Sequence, residues 1–372
     1  MQQPSAYRRL SAAAVAGALA LTTGCGSDNA VRGNDPLPVP AGITCAEGSI
    51  SASGSSAQEN AMQTWVAAYQ TACADAQVFY NSIGSGGGRS QFIDGAVSFA
   101  GSDAALDDEE AAEAQERCSG GSAAINIPGY IVPIAVVFNL DGVDSLNMSP
   151  EVIAGIFNRD ITTWNDPAIA ADNPDADLPD SAITPVSRSD ESGTTENFTE
   201  YLAAAAGDAW PHEPGGQWPL PPAEAAQGNS GVAQAVKAGD GTFGYVEASH
   251  VGHMSTVDVK VGEEFVHVSP ESAGAVVANS PEREGNSEHD HALELDYGTT
   301  EPGTYPIVLV SYEIACLNYD DAGEAAAVRD FLGYVISTEG QQGAAEETGS
   351  APLPEETREG LRESVEAISG PQ

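Results

Sequence analysis

Lysine is almost absent from the 372-residue chain, occurring only at Lys237 and Lys260. Lys and Arg together number 13 against 55 Asp and Glu, for a formal net charge of −42. Nucleic-acid binding needs clustered cations to neutralise phosphates, so a nucleic-acid partner is excluded. An acidic balance fits an extracellular or saline setting and says nothing about fold. Long apolar runs are also missing. The stretch 10–21 is 12 residues long, too short to cross a bilayer, which excludes an integral membrane protein. The five cysteines include no CxxC pair, and no Cys/His spacing of a zinc site occurs. The glycine-rich segments lack the spacing and the following Lys of a Walker loop, and no dinucleotide fingerprint is present. Neither a metal nor a cofactor is expected.

What is present begins with an export signal. Arg8 and Arg9 precede the apolar stretch, which ends at Thr22-Thr23-Gly24-Cys25. This resembles a bacterial lipobox, with Thr22 standing where Leu is usual. Residues 1–24 are expected to be removed, and Cys25 to carry lipid at the outer face of the cell membrane. Residues 25–44, rich in Gly, Pro, Asn and Asp, read as a tether. Four cysteines then remain: Cys45, Cys73, Cys118 and Cys316. An even number in an exported chain predicts two disulfides, with three connectivities open.

Periodicity predicts alternating strands and helices. Helices are expected over 58–71, 90–95, 107–117, 150–157, 196–206, 230–238, 324–337 and 355–368, and strands over 77–80, 97–100, 131–139, 183–186, 242–246 and 305–315. This alternation predicts an α/β fold with largely parallel sheets.

Three loops share one chemistry. Ser55-Ser56, Gly84-Ser85-Gly86-Gly87 and Ser192-Gly193-Thr194-Thr195 each precede a helix. Helix N-termini carry unpaired N–H groups and partial positive charge. Glycine admits an anion to the backbone, and hydroxyls add donors. Arg188 supplies a charged fork, and Asp190 is placed to hold it. Taken singly, such loops are ordinary turns and caps.

Together, Gly84-Ser85-Gly86-Gly87-Gly88, Phe99-Ala100-Gly101-Ser102-Asp103, Arg188 to Thr195, Gly241 to Glu247 and Ala351-Pro352-Leu353-Pro354 resemble the substrate-binding lipoprotein of the high-affinity phosphate ABC transporter. The cysteine-containing variety looks like that of actinobacteria. The resemblance spans 45–368. It implies a two-lobed periplasmic-binding-protein fold of type II, with the ligand in the interlobe cleft and two hinge crossovers near 128–134 and 305–310. Lobe 1 would join 45–130 with 306–372, and lobe 2 would be 131–305. It implies inorganic phosphate and ABC permease subunits as partners, in a lipid-anchored monomer without catalytic activity.

Carried over by motif, the phosphate ligands would be Ser56, the Ala57 N–H, Ser85, Asp103, Arg188, Ser192, Gly193 and Thr194, with Asp190 behind Arg188. Arg89 falls outside the pattern and is taken as a surface residue. His289-Asp290-His291, within the insert 279–297, is taken as part of a solvated acidic loop rather than a metal site. The lobe arrangement also implies the pairs Cys45–Cys73 and Cys118–Cys316. Two alternatives stay open: a binder of another oxyanion such as sulfate or molybdate, and a secreted phosphatase. All six histidines lie outside the three loops, which leaves the latter without a base.

Overall fold

The computed structural model describes residues 39–371; the expected signal segment 1–24 and the expected lipidation at Cys25 lie outside them. The chain begins with β1 (Gly48–Gly54), α1 (Glu59–Ala72), β2 (Ala76–Ser82), α2 (Ser85–Ile93), β3 (Phe99–Ser102) and α3 (Asp108–Arg117). The long β4 (Ala124–Asn139) follows, then β5 (Ser145–Met148), α4 (Pro150–Asn158), α5 (Pro167–Asp172), β6 (Thr184–Arg188) and α6 (Gly193–Ala205). Next come β7 (Glu224–Ala226), α7 (Gly228–Ala238), β8 (Thr242–Glu247), β9 (Ser255–Val261), β10 (Glu264–Val266) and α8 (Pro270–Ala278). The chain closes with β11 (Val308–Cys316), α9 (Ala322–Val335), α10 (Thr338–Thr348) and α11 (Glu355–Ala367).

The strands run in the order β2-β1-β3-β11-β4-β8-β6-β7, with β9 branching from β4 and pairing in turn with β5 and β10. β4 joins two sheets. Its first part pairs with β11 up to Pro133↔Val308, and from Ile134 onward it pairs with β8. Both faces of this strand are covered, so its Val/Ile-rich run is buried from Ile125 to Phe138.

The largely parallel sheet expected from the sequence is not what forms. Among the described residues, five strand pairings are parallel and five antiparallel. The antiparallel ones involve β4, β11 and β9, strands that pass between or close the two halves rather than follow a crossover helix.

Helix starts explain other departures. α2 begins at Ser85 within the glycine run, not at 90, and α6 begins at Gly193 rather than 196. Glycine is a poor helix former, but here close packing requires it. A Cβ on Gly88 would sit 2.5 Å from Gly54 Cα, and one on Gly193 would sit 2.6 Å from Asp103 Cβ. Elsewhere local chemistry prevails. Ser149 caps α4 with Pro150 in its first turn, and Asp107 and Glu110 form a capping box on α3.

Both disulfides form as the resemblance implied. Cys45–Cys73 has a Cα–Cα distance of 5.1 Å, and Cys118–Cys316 one of 5.4 Å. The insert 279–297 is not a solvated loop. Asp290 is buried, and its Oδ1 accepts from the Asn126 N–H (2.9 Å) and Asn126 Nδ2 (2.8 Å). Arg283 Nη1 donates to Leu106 O (2.9 Å), and the Leu293 N–H donates to Tyr312 Oη (3.0 Å). His289 and His291 both engage Ser364 Oγ, through Nδ1 at 3.2 Å and Nε2 at 2.8 Å. The insert thus leaves α8, straps the β3–β11 side, and returns.

Candidate anion-binding site

The loops after β1, β2 and β3 meet the N-termini of α6 and α7 at the point where the two sheets join. Aromatic packing fixes α6. Phe198 stacks on Tyr245 of β8 with centroids 4.3 Å apart, and Phe157 packs edge-on against both. The Thr195 and Tyr245 hydroxyls lie 2.7 Å apart. These contacts press Gly193 against Asp103 and Ser85, where a Cβ would lie 2.7 Å from Ser85 Oγ. Gly84 (φ +98°) turns the chain beneath Glu191 O in a conformation open only to glycine.

Asp103 is buried at the centre. Its Oδ1 accepts from the Ser55 hydroxyl and from the Ser311 hydroxyl (2.5 Å), and its Oδ2 accepts from Thr194 Oγ1 (3.2 Å). Burial pushes its carboxyl up, against the opposing pull of Ser311, Ser55, Arg188 and Thr194. A carboxylate oxygen has two lone pairs. Oδ1 is therefore full, and Oδ2 keeps one lone pair.

A second set of hydroxyls has the opposite polarity. Ser85 Oγ accepts from the Asp103 N–H (3.2 Å), and Ser192 Oγ accepts from the Thr195 N–H (3.2 Å). Ser56 Oγ accepts from the Asn229 N–H (3.1 Å) and from Asn229 Nδ2 (3.2 Å). Lone pairs committed to the protein leave these hydroxyl protons to donate elsewhere. The N–H groups of Gly193 and Thr194 open α6 and precede its first i→i−4 bond. The Ala57 N–H, by contrast, donates to Ser55 Oγ (2.9 Å).

Arg188 is buried, and its fork is half used. Nε donates to Asp190 Oδ1 (2.9 Å) and Nη2 to Asp190 Oδ2 (2.5 Å), while Nη1 is buried without a partner among the described residues. Asp190 Oδ1 also accepts the Gly228 N–H (3.1 Å). The arrangement holds a charged donor rigidly and leaves one end for an anion.

The structure brings Ser56, Ala57, Ser85, Asp103, Arg188, Asp190, Ser192, Gly193 and Thr194 into this one region. Sequence reasoning placed Ser55 in the first loop without foreseeing its bond to Asp103, and missed Ser311, Asn197 and Asn229. Asn197 Nδ2 donates to Asp103 O (2.8 Å) and Gly193 O (2.7 Å), and its Oδ1 accepts from Tyr297 Oη (2.5 Å). Gly228-Asn229-Ser230 repeats the glycine-polar helix start of the other loops, a signal that could have found Asn229. Ser311, mid-strand in β11, gave none. Arg89 is not a surface residue. It is 6% exposed, bonds Ser102 Oγ (3.1 Å), and pairs with Glu110 (2.7 Å), Glu191 (3.8 Å) and Glu196 (3.9 Å).

Fold and site together define a class: a two-lobed substrate-binding protein with an anion cradle where its sheets meet. Known proteins agree. The PBP superfamily domain matches residues 39–339. The phosphate-binding protein PstS 3 of Mycobacterium tuberculosis is 40% identical over 365 residues, covering 95% of this chain and 96% of that protein. PstS 2 of the same organism is 39% identical over 329 residues, covering 86% and 87%. In fold the chain is similar to the structure of the high-affinity periplasmic phosphate-binding protein PfluDING bound with phosphate. That match has a TM-score of 0.69 at 22% identity, and covers 85% of this chain and 93% of that one. A phosphate-binding protein from Stenotrophomonas maltophilia gives a TM-score of 0.66 at 22% identity, covering 85% and 93%. The chain belongs to the PstS family of phosphate-binding proteins, within the PBP superfamily.

Proposed function

We propose that this protein captures inorganic phosphate outside the cytoplasm and delivers it to an ABC permease for import, binding its ligand without chemical turnover. Asp103 carries the reading. Its one remaining lone pair suits a ligand that keeps a proton, as phosphate does at neutral pH and sulfate does not. Sulfate would set two acceptors face to face. Sites built around a required ligand hydroxyl reject analogues lacking it by about 10⁴–10⁵-fold. The remaining ligand oxygens face donors only: the hydroxyls of Ser56, Ser85 and Ser192, the α6 N-terminus and Arg188. The net charge of −42 repels anions at a distance, but salt screens it within roughly 8–10 Å. Inside the site each hydrogen bond to a charged group contributes about 1.5–3 kcal/mol. The names of the mycobacterial relatives support the same ligand.

In this reading residues 45–130 and 306–372 form one lobe and 131–305 the other, with the strap 282–293 lying across. Ser56, Ser85 and Asp103 come from the first lobe and Arg188 to Thr194 from the second, so the ligand holds the lobes closed. Cys25 tethers a monomer to the membrane. The test is calorimetry of the phosphate-stripped protein against phosphate, arsenate and sulfate in one buffer. Phosphate and arsenate should bind, and sulfate should not. Equal binding of sulfate would refute the proton-reading role of Asp103.

A further inference from the structure

Asn229, in the first turn of α7, is fully buried, and every polar group it offers is used. Its Oδ1 accepts the Glu247 N–H at 2.8 Å. A backbone N–H can only donate, so this bond fixes which end of the amide is which. Nδ2 therefore faces Ser56 Oγ (3.2 Å) and Thr194 Oγ1 (3.1 Å). The Asn229 N–H adds a second bond to Ser56 Oγ at 3.1 Å.

A hydroxyl has two lone pairs and one proton. Two N–H donors fill both lone pairs of Ser56, which can then only donate. Thr194 Oγ1 accepts from Nδ2 and spends its proton on Asp103 Oδ2. We infer that Asn229 is a positioning residue that sets the polarity of the site: it holds Ser56 as an obligate donor, so the ligand oxygen facing Ser56 must accept and cannot aim a proton at it. The ligand's proton is thereby directed to Asp103. A tetrahedral oxyanion with one hydroxyl is accepted in one orientation only. Asn229 never touches the ligand; it acts through Ser56, and it ties the loop after β1 to α6. This inference rests on the phosphate reading of the site.

The test is a double-mutant cycle in the phosphate-stripped full chain, read by calorimetry with inorganic phosphate. Ser56→Ala and Asn229→Ala should each weaken phosphate binding about tenfold or more. Asn229→Ala made in the Ser56→Ala background should add less than about threefold, because the hydroxyl it orients is gone. Losses that multiply would mean Asn229 is merely structural and overturn the inference. An unchanged affinity in Asn229→Ala would overturn it as well. Asn229→Asp keeps the shape and turns the Nδ2 donor into an acceptor. It should weaken phosphate binding about a hundredfold while far-ultraviolet circular dichroism stays native, and wild-type affinity in that variant would refute the assignment. Wild-type protein that fails to bind phosphate sinks the phosphate reading itself. Wild-type binding with multiplicative losses sinks only the role of Asn229.

Discussion

At Asp103, burial and hydrogen bonding pull in opposite directions. Burial favours the neutral acid, while Ser311, Ser55, Arg188 and Thr194 favour the carboxylate. Asp103→Asn replaces an acceptor by a group that also donates. Phosphate binding should weaken modestly and the phosphate-over-sulfate ratio should collapse, measured by calorimetry with both anions. An unchanged ratio would remove Asp103 from specificity. Glu247 makes a separate prediction. It lies behind Asn229, fully buried, and burial pushes its carboxyl up to about 8 from 4.5. Because the folded-state value is the higher one, its contribution to stability is complete below the unfolded value and is lost as pH rises through about 8. Thermal unfolding of the wild type should therefore lose stability between about pH 5 and pH 8 through this group. Glu247→Gln should flatten that part of the profile, and an identical slope would show that the group does not titrate in this range. Arg188, Asp190, Ser192 and Thr194 were legible because they sit in one short run with a recognisable spacing. Ser311 was not, because its role exists only where β11 passes Asp103, 208 positions away in sequence.

Among the elements, α2, α3 and α6 meet at Arg89. Its guanidinium lies among Glu110 on α3, Glu196 on α6 and Glu191 just before α6. Removing it would leave the partly buried Glu110 and Glu196 and the half-exposed Glu191 facing one another without a cation. Arg89→Met should lower stability by about 3–5 kcal/mol, measured by urea unfolding. A change below about 1 kcal/mol would mean that water replaces the arginine at no cost. A chain with 13 bases and 55 acids disguises such a residue. Nothing in Gly87-Gly88-Arg89-Ser90 tells a buried arginine from an exposed one, because the partners are supplied by other elements. The helix faces and the second half of β4, residues 131–139, were readable from apolar spacing, whereas its first half, 124–130, was not. The glycine-rich helix starts were not, because close approach, not propensity, makes them helical. The strap was hidden too: an acidic, histidine-bearing segment reads as solvated until Asn126 and Tyr312 are placed beneath it.

Across the whole molecule, two disulfides brace the β1–β3–β11 side, closing separations of 28 and 198 residues. In the chain-entropy model each is worth about 3–5 kcal/mol. A reductant should lower the melting temperature by several degrees without abolishing phosphate binding, since neither bridge touches the site. Loss of binding at temperatures where the reduced protein is still folded would contradict that separation. The site is assembled from loops of both sheets, which hydrogen bonds from Asn229 to Ser56 and from Thr194 to Asp103 bring together. In the proposed reading, a ligand that satisfies donors on both sides would stabilise the closed arrangement, with β4 and the entry to β11 absorbing the rotation. That phosphate is what joins the two sides is tested most directly by small-angle X-ray scattering of the phosphate-stripped protein before and after phosphate is added. The radius of gyration should fall in the wild type and stay constant in Arg188→Ala at the same phosphate concentration. A wild-type radius that does not change, with binding confirmed by calorimetry in the same sample, would contradict the closure of two lobes on a shared anion.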